Sequence, residues 1–514
     1  MKLTTKQEKH SAQKQSVSYK AIFLILSAVI LLLAFTGCDS TVIYTESGTN
    51  PDYGRPTFAP SGDSLNIGYS ADDSLNPYFA ETDLNSDLMS LIFEPLFNLD
   101  DTFLARNSLT ESYTVNEQTL TVKLNKTAAF SDGVQFSSAD VVYSFNLAKA
   151  SENWSDELAN ITSAQASGAD TVVFSLSAAN KNAADSLTFP IVKTQTANDE
   201  KSMPLGTGLY KTVRNGESVY LDYNPYCRTP YPNITRINLV SIPSSSTLIH
   251  TLELGTIDAF FDDMSSGSFS QANAQSSKTN LSNLVFLGMN SNSYGLATSA
   301  MRQAIYYSVN RQSIVRNSFK NFAVESATPY HPEWHVIDDE SYDTSSLVLD
   351  YSKAKDLMTN AGFKDTLNFT LIVYSGNNFK VAAAREISQS FQNIGINLTV
   401  SELTWDAYKT ALDSGAYDFY IGEVKLPTDM NLSVMLSSDG PVYGIADTDT
   451  TAAAYQEFLG GKISLEAFTT SFLQNIPFVP ICFRTGALMC TNSISPAPDC
   501  DAGNVYKNIY EWNK

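Results

Sequence analysis

The chain has 514 residues, of which 43% are hydrophobic and 17% charged, with 33 basic against 54 acidic side chains and a formal net charge of −21. That length exceeds one ordinary core and implies two or three domains. The charge excludes a nucleic-acid surface, which needs clustered cations, and fits a well-solvated body without naming a ligand.

In chain order, Lys2, Lys6, Lys9, Lys14 and Lys20 precede AIFLILSAVILLLAFTG, an uncharged apolar run. Cations that stay on the cytoplasmic side of a run entering the bilayer are the pattern of an export signal. Residues 1–37 are therefore expected to be a signal peptide, with a permanent anchor as the alternative. The run ends in FTGC, which resembles a bacterial lipobox with Phe35 in place of the usual leucine. Cys38 is then the expected acylated N-terminus, holding the protein to the outer face of a bacterial membrane. Residues 38–63 are polar, with Gly and Pro, and read as a tether.

SLNIGYS opens the folded body as a strand, with Leu65, Ile67 and Tyr69 alternating. TLTVKL reads as another, with Leu120, Val122 and Leu124 inward. In FSDGVQFSSADVVYSF, Ser131 to Gly133 is turn chemistry. Ser137 or Ser138 caps a helix with Asp140 near its positive end, and Val141, Val142, Phe145 and Ala148 form the apolar face of that helix. RINLVSI, PSSSTLIHTLELG and IDAFFDD read as strand, helix and strand. LNFTLIVY, FKVAAAREISQSFQNIG, INLTVSEL, WDAYKTALDSG and YDFYIGEV alternate likewise, with helices closed at Gly395 and Gly415. This alternation predicts α/β lobes with largely parallel sheets. Ligands of such sheets lie at the carboxyl ends of the strands. The rule selects Asn76 and Tyr78, Tyr374 and Asn377, Trp405, and Glu423 and Lys425. Asn76 could instead shape the turn before Pro77, and Trp405 could serve lobe packing.

Beyond Cys38, four cysteines permit two disulfides in any of three pairings. Cys490 with Cys500 would close a short loop, leaving Cys227 with Cys482; free buried thiols are the alternative. No CxxC pair suggests zinc. His331 and His335 in HPEWH resemble a metal pair, but Pro332 opposes the helix that would put both rings on one face, so an irregular surface loop and no metal are expected. His250 is expected to be packed or exposed on its helix. GxSxG, Walker and dinucleotide motifs are absent from the sequence, so neither enzymatic activity nor a cofactor is expected. The Asp72/Asp73 and Asp262/Asp263 pairs read as solvated or capping. A hydrolase with two facing carboxylates is the remaining enzymatic rival.

FSDGVQFSSADVVYSF resembles the most diagnostic segment of the extracellular solute-binding proteins of the oligopeptide, dipeptide and nickel type (family 5), which serve ABC importers. LNPYF, FEPLFNLD, PLGTGLYK, LELGTIDAFF, MRQAIYYSVNRQSIV, YSKAKDLMTNAGF and FQNIGINLTV fall in that family's usual order. The resemblance implies an α/β fold, a two-lobed, periplasmic-binding-protein-like (type II) clamp with an additional small domain on the first lobe. Residues 64–95, 200–287 and 477–514 would form lobe I, 96–199 the extra domain and 288–476 lobe II. It further implies a monomeric substrate-binding lipoprotein, with a small-molecule or peptide ligand in the interlobe cleft and ABC permease subunits with their ATPase as partners. A receptor or sensor without import is the alternative. In peptide-binding relatives a second-lobe carboxylate pairs the peptide's amino terminus, and Trp405 matches a cleft tryptophan. GEVKLPTDMNL departs from this pattern, placing Lys425 where that aspartate stands, with Glu423 or Asp429 as replacements. A lysine there repels an ammonium and favours a carboxylate or phosphate. Sugars, metal chelates and modified peptides stay open as ligands.

Overall fold

The computed structural model describes residues 64–269, 272–340, 344, 347–437, 443–444 and 448–514. The expected signal peptide, Cys38 and the tether lie outside the described residues. The first strands are β1 (Ser64–Tyr69), the hairpin β2 (Phe97–Leu99) and β3 (Ala105–Asn107), then β4 (Thr110–Asn116), β5 (Thr119–Leu124), β6 (Ile161–Ala166) and β7 (Thr171–Leu176). After them come β8 (Tyr210–Asn215), β9 (Ser218–Tyr223), β10 (Arg236–Ser241), β11 (Ala259–Asp262) and the long β12 (Gln275–Met289). β13 (Ala323–Glu325), β14 (Leu367–Tyr374), β15 (Ile396–Leu403), β16 (Phe419–Lys425) and β17 (Val479–Cys490) follow.

A single sheet runs β15-β14-β16-β12-β17-β11-β1-β10-β9-β8, with β13 attached to β17. Its two ends are the α/β lobes: β1 is parallel to β10 and β11, and β14 is parallel to β15 and β16. The antiparallel pair β12 and β17 joins them. Register between these two slips from Asn280–Thr485 to Leu284–Phe483, leaving Leu281, Ser282 and Asn283 as a bulge. Bulges bend a strand and interrupt its ladder. The bend therefore falls where one lobe gives way to the other.

Alternation explains why the second-lobe strands read as continuous apolar runs. Leu371, Val373, Phe419 and Ile421 enter one core layer, while Ile372 and Tyr420 enter the layer on the opposite face. Strands covered on both faces have no polar side to display. The small sheet β4-β5-β7-β6 packs differently. Leu120, Val122 and Phe174 share one core with Leu65, Ile67 and Ile237 of the first lobe. The helix Ser138–Ala150 starts as its sequence specifies: Asp140 Oδ2 accepts from the Ser137 backbone N–H at 3.0 Å and from its hydroxyl at 2.8 Å. PLGTGLYK is explained by close approach. The Gly208 N–H donates to Ile92 O at 2.9 Å, and a Cβ on Gly208 would stand 2.5 Å from the Ile92 carbonyl carbon.

The cysteine expectation is corrected. Cys227, Cys482, Cys490 and Cys500 are all free thiols, the last three buried. Cys500 Sγ donates to the Ser277 carbonyl at 3.4 Å, and burial pushes the Cys490 thiol up, keeping it protonated and unreactive.

Candidate functional site

The helix Asp83–Ile92 forms the floor of the interlobe space. Thr82 caps it, and Leu88, Leu91 and Ile92 anchor its inner face. Asp83, Ser86, Asp87 and Ser90 fall at helical spacing on the other face. Against that face lies a cavity of about 770 Å³. Its walls include Asp262 and Asp263 at the end of β11, the bulged Asn280 to Asn283, and Lys425 at the end of β16. A second cavity of about 580 Å³ follows the other flank of the helix and shares Asp83, Asp87, Glu157 and Lys425 with the first. The two are one groove wrapped around a helix.

Charge in this groove is one-sided. Glu81, Asp83, Asp87, Glu157, Asp262 and Asp263 line the larger cavity, whereas Lys425 is its sole cation among the described residues. Asp83 is solvent-exposed and opens into the cavity, with the surrounding protein partly desolvating its carboxyl. Burial, then repulsion from Asp263, raises its pKa. Asp87 is raised well above the usual carboxylate range by burial and by the charges of Asp83, Asp263 and Asp262, against which Lys425 pulls it down. Asp262 is raised by burial and by Asp263. Among the described residues, Asp83, Asp87 and Lys425 form no ion pair.

Beneath the groove, Arg484 ties the lobes together. It is the one charged residue of the wholly buried β17. Its Nε contacts Glu423 Oε1 at 2.6 Å, its Nη2 meets Asp263 Oδ2 at 3.4 Å, and its Nη1 donates to the Asp263 carbonyl. Glu423 Oε2 meets Lys380 Nζ at 2.7 Å, and its Oε1 accepts from Asn283 at 3.0 Å. Burial alone would raise the Glu423 pKa, but Lys380 and Arg484 outweigh it and the carboxyl sits below its ordinary range.

The residues selected from sequence divide in two. Lys425 lines both cavities. Tyr374 and Trp405 meet edge to face at 5.4 Å, and Trp405, 53% exposed, also stacks on Tyr408. They form an aromatic corner that lines neither cavity. Asn377 is turned to structure: its Oδ1 caps the helix Asn378–Gln392 at Lys380 N, and its Nδ2 donates to Ser265 O at 3.2 Å. Asn76 is fully buried, its Oδ1 receiving the Tyr78 N–H at 3.2 Å and its Nδ2 reaching Asp199 O at 3.0 Å. The Tyr78 hydroxyl donates to Pro190 O inside the protein. Neither Glu423 nor Asp429 is free to take over an amine: Glu423 is occupied by Lys380 and Arg484, and Asp429 is buried against Asn180. His331 and His335 face different partners, His331 between Phe103 and Phe483, and His335 against Asp185.

Sequence reasoning passed over Asp83, Asp87, Glu157 and Arg484, and took the Asp262/Asp263 pair as solvated or capping. A lone arginine in VPICFRTGALMC was the available signal for Arg484; the three other acids carried no local signal.

A two-lobed clamp with its cavity between the lobes is now in place. The family described as bacterial extracellular solute-binding proteins, family 5 Middle, matches residues 105–440. The chain belongs to that family. Among relatives of this binding protein, the oligopeptide-binding protein AppA of Bacillus subtilis is 22% identical over 439 residues, covering 78% of this chain and 79% of AppA. The glutathione-binding protein GsiB of Salmonella choleraesuis is 23% identical over 381 residues, covering 68% of this chain and 72% of GsiB. The ABC transporter substrate-binding protein CtaP of Listeria monocytogenes superposes with a TM-score of 0.68 at 18% identity, over 88% of this chain and 99% of that structure. Among the described residues no helix is long and apolar enough to cross a membrane.

Proposed function

We propose that this binding protein captures a peptide-like solute carrying net positive charge in the interlobe groove and delivers it to an ABC permease. The observation behind the charge is the groove itself, with six carboxylates and one lysine around about 770 Å³. Desolvated carboxylates held near one another gain from a cation that enters among them. Lys425 leaves a place for one anionic group, so a zwitterion with a cationic side chain fits the two walls together. The peptide-like reading is supported by AppA and GsiB, whose names state oligopeptide and glutathione binding. Acylation at Cys38 would hold the body, as a monomer, to the outer membrane face; Cys38→Ala is expected to release it into the soluble fraction.

Isothermal titration with matched tripeptides carrying central lysine, alanine or glutamate tests the charge preference. Lysine is expected to bind at least about tenfold more tightly than glutamate, the equivalent of one ionic contact of about 1.4 kcal/mol. Equal affinities, or the reverse order, would overturn it.

A further inference from the structure

The extra domain touches the second lobe beside the groove, where Phe103, Glu157 and Thr428 also line the larger cavity. The β2–β3 hairpin turns through Asp100, whose Oδ1 accepts from Thr102 N at 2.9 Å and from Leu104 N at 3.2 Å. This turn holds Phe103 at φ 61, a left-handed conformation that strains a phenylalanine. The Phe103 ring is 1% exposed and joins the second-lobe core, 5.0 Å from His331. A strained residue that plugs into another lobe is held there by what surrounds it.

The surroundings are ionisable. Thr428, just past β16, donates its N–H to Glu157 Oε1 at 3.0 Å and its hydroxyl to the same oxygen at 2.5 Å. Asn180 Nδ2 donates to Asp429 Oδ2 at 2.6 Å. His335 Nε2 meets Asp185 Oδ2 at 3.0 Å, and the His335 N–H donates to Thr102 O at 3.0 Å. Lys181 pairs with Glu340 at 2.7 Å on the rim. In each case one partner belongs to residues 96–199 and the other to the second lobe.

We propose that the β2–β3 hairpin and this ring of buried carboxylates form a latch that holds the empty clamp shut in acid and releases it as the pH rises. Burial pushes Glu157 up to about 7 against the hydrogen bonds from Thr428. Burial and the neighbouring Glu157 push Asp429 up to about 7. Asp185 is raised by burial and restrained by His335. Burial pulls His335 down, but Asp185 and Asp339 outweigh it and raise it. The other charged or ionisable neighbours are Lys425 beside Glu157, Tyr330, Tyr455 and Asp185 beside Asp429, and Asp100 and Tyr113 beside Asp185. His331, against Phe103, stays neutral across this range because burial takes it down to about 3.

The signs agree. Glu157 and Asp429 hold their protons more tightly when latched than in solvent, so their contribution is full below about pH 4 and lost as pH rises through about 7. His335 contributes while protonated and stops contributing above its raised pKa.

Small-angle scattering of the ligand-free protein tests this independently of ligand identity. The wild type is expected to have a smaller radius of gyration at pH 5 than at pH 8, with the latched-to-open ratio falling at least about tenfold. Glu157→Gln with Asp429→Asn, which keeps both side chains neutral, is expected to stay compact at both values. A pH-independent wild type, or a double variant that opens at pH 8 as the wild type does, would overturn the latch. Should that double variant lose its folded circular dichroism, Phe103→Ala decides: an expanded radius at pH 5 supports the latch, and the wild-type radius refutes it.

Discussion

Replacing Arg484 by methionine removes the one cation of β17 and separates the two lobes electrostatically. Its Nε stands 2.6 Å from Glu423, and the side chains are 4% and 13% exposed, so solvent screens the pair weakly. Unit charges about 4 Å apart at an effective dielectric of about 20 attract by roughly 4 kcal/mol. Lys380, 2.7 Å from the other Glu423 oxygen, remains and recovers part of that. Breaking a buried pair from one side costs about 3–5 kcal/mol, and with Lys380 in place about 3 kcal/mol is expected for Arg484→Met. A double-mutant cycle with Glu423→Gln, read by urea unfolding, separates the pair from everything else either residue does. The coupling should be about 2 kcal/mol. A coupling below about 0.5 kcal/mol, the level of independent sites, would show that the ion pair does not join the lobes.

Gly208→Ala should lower stability by at least about 1–3 kcal/mol in thermal melts, because its Cβ would stand 2.5 Å from the backbone carbon of Ile92, which cannot swing aside. His331→Phe should flatten the acid side of the stability curve. Buried neutral with a pKa of about 3, His331 binds fewer protons folded than unfolded, so it costs stability as pH falls below about 6.5. Wild-type and variant unfolding midpoints that run parallel from pH 7 to pH 4 would contradict this. Trp405→Ala should change stability by less than about 1 kcal/mol and leave ligand affinity in calorimetry unchanged, since the ring is 53% exposed on a support of Tyr374 and Tyr408 and lines neither cavity; a weakened affinity would bring the aromatic corner into the site.

The lobes were legible because parallel strands buried on both faces, such as LNFTLIVY, leave an unbroken apolar run between turn residues. Its bounds, Leu367–Tyr374, coincide with the observed strand. Gly395 and Gly415 ended their helices with positive φ, as their positions suggested. The site was less legible. The rule placing ligands at strand ends found Lys425 but also Asn76 and Tyr78, whose turn folds back into the protein through Asp199 and Pro190. Glu423 was expected as a ligand-binding carboxylate, but Lys380 and Arg484, far from it in sequence, occupy it, and no local pattern reveals them. Asp83 and Asp87 drew no reading from sequence, because acidic residues at helical spacing occur on any solvated helix face; only the tertiary arrangement sets these two on the wall of a cleft.

Native mass spectrometry against a pooled tripeptide library tests the central claim most directly. The protein should retain single peptides at one per chain, enriched in lysine and arginine, and Asp83→Arg should abolish that enrichment while leaving the folded charge-state envelope unchanged. Retention of acidic and basic peptides in equal measure, or enrichment that survives Asp83→Arg, would contradict capture of cationic solutes in the interlobe groove.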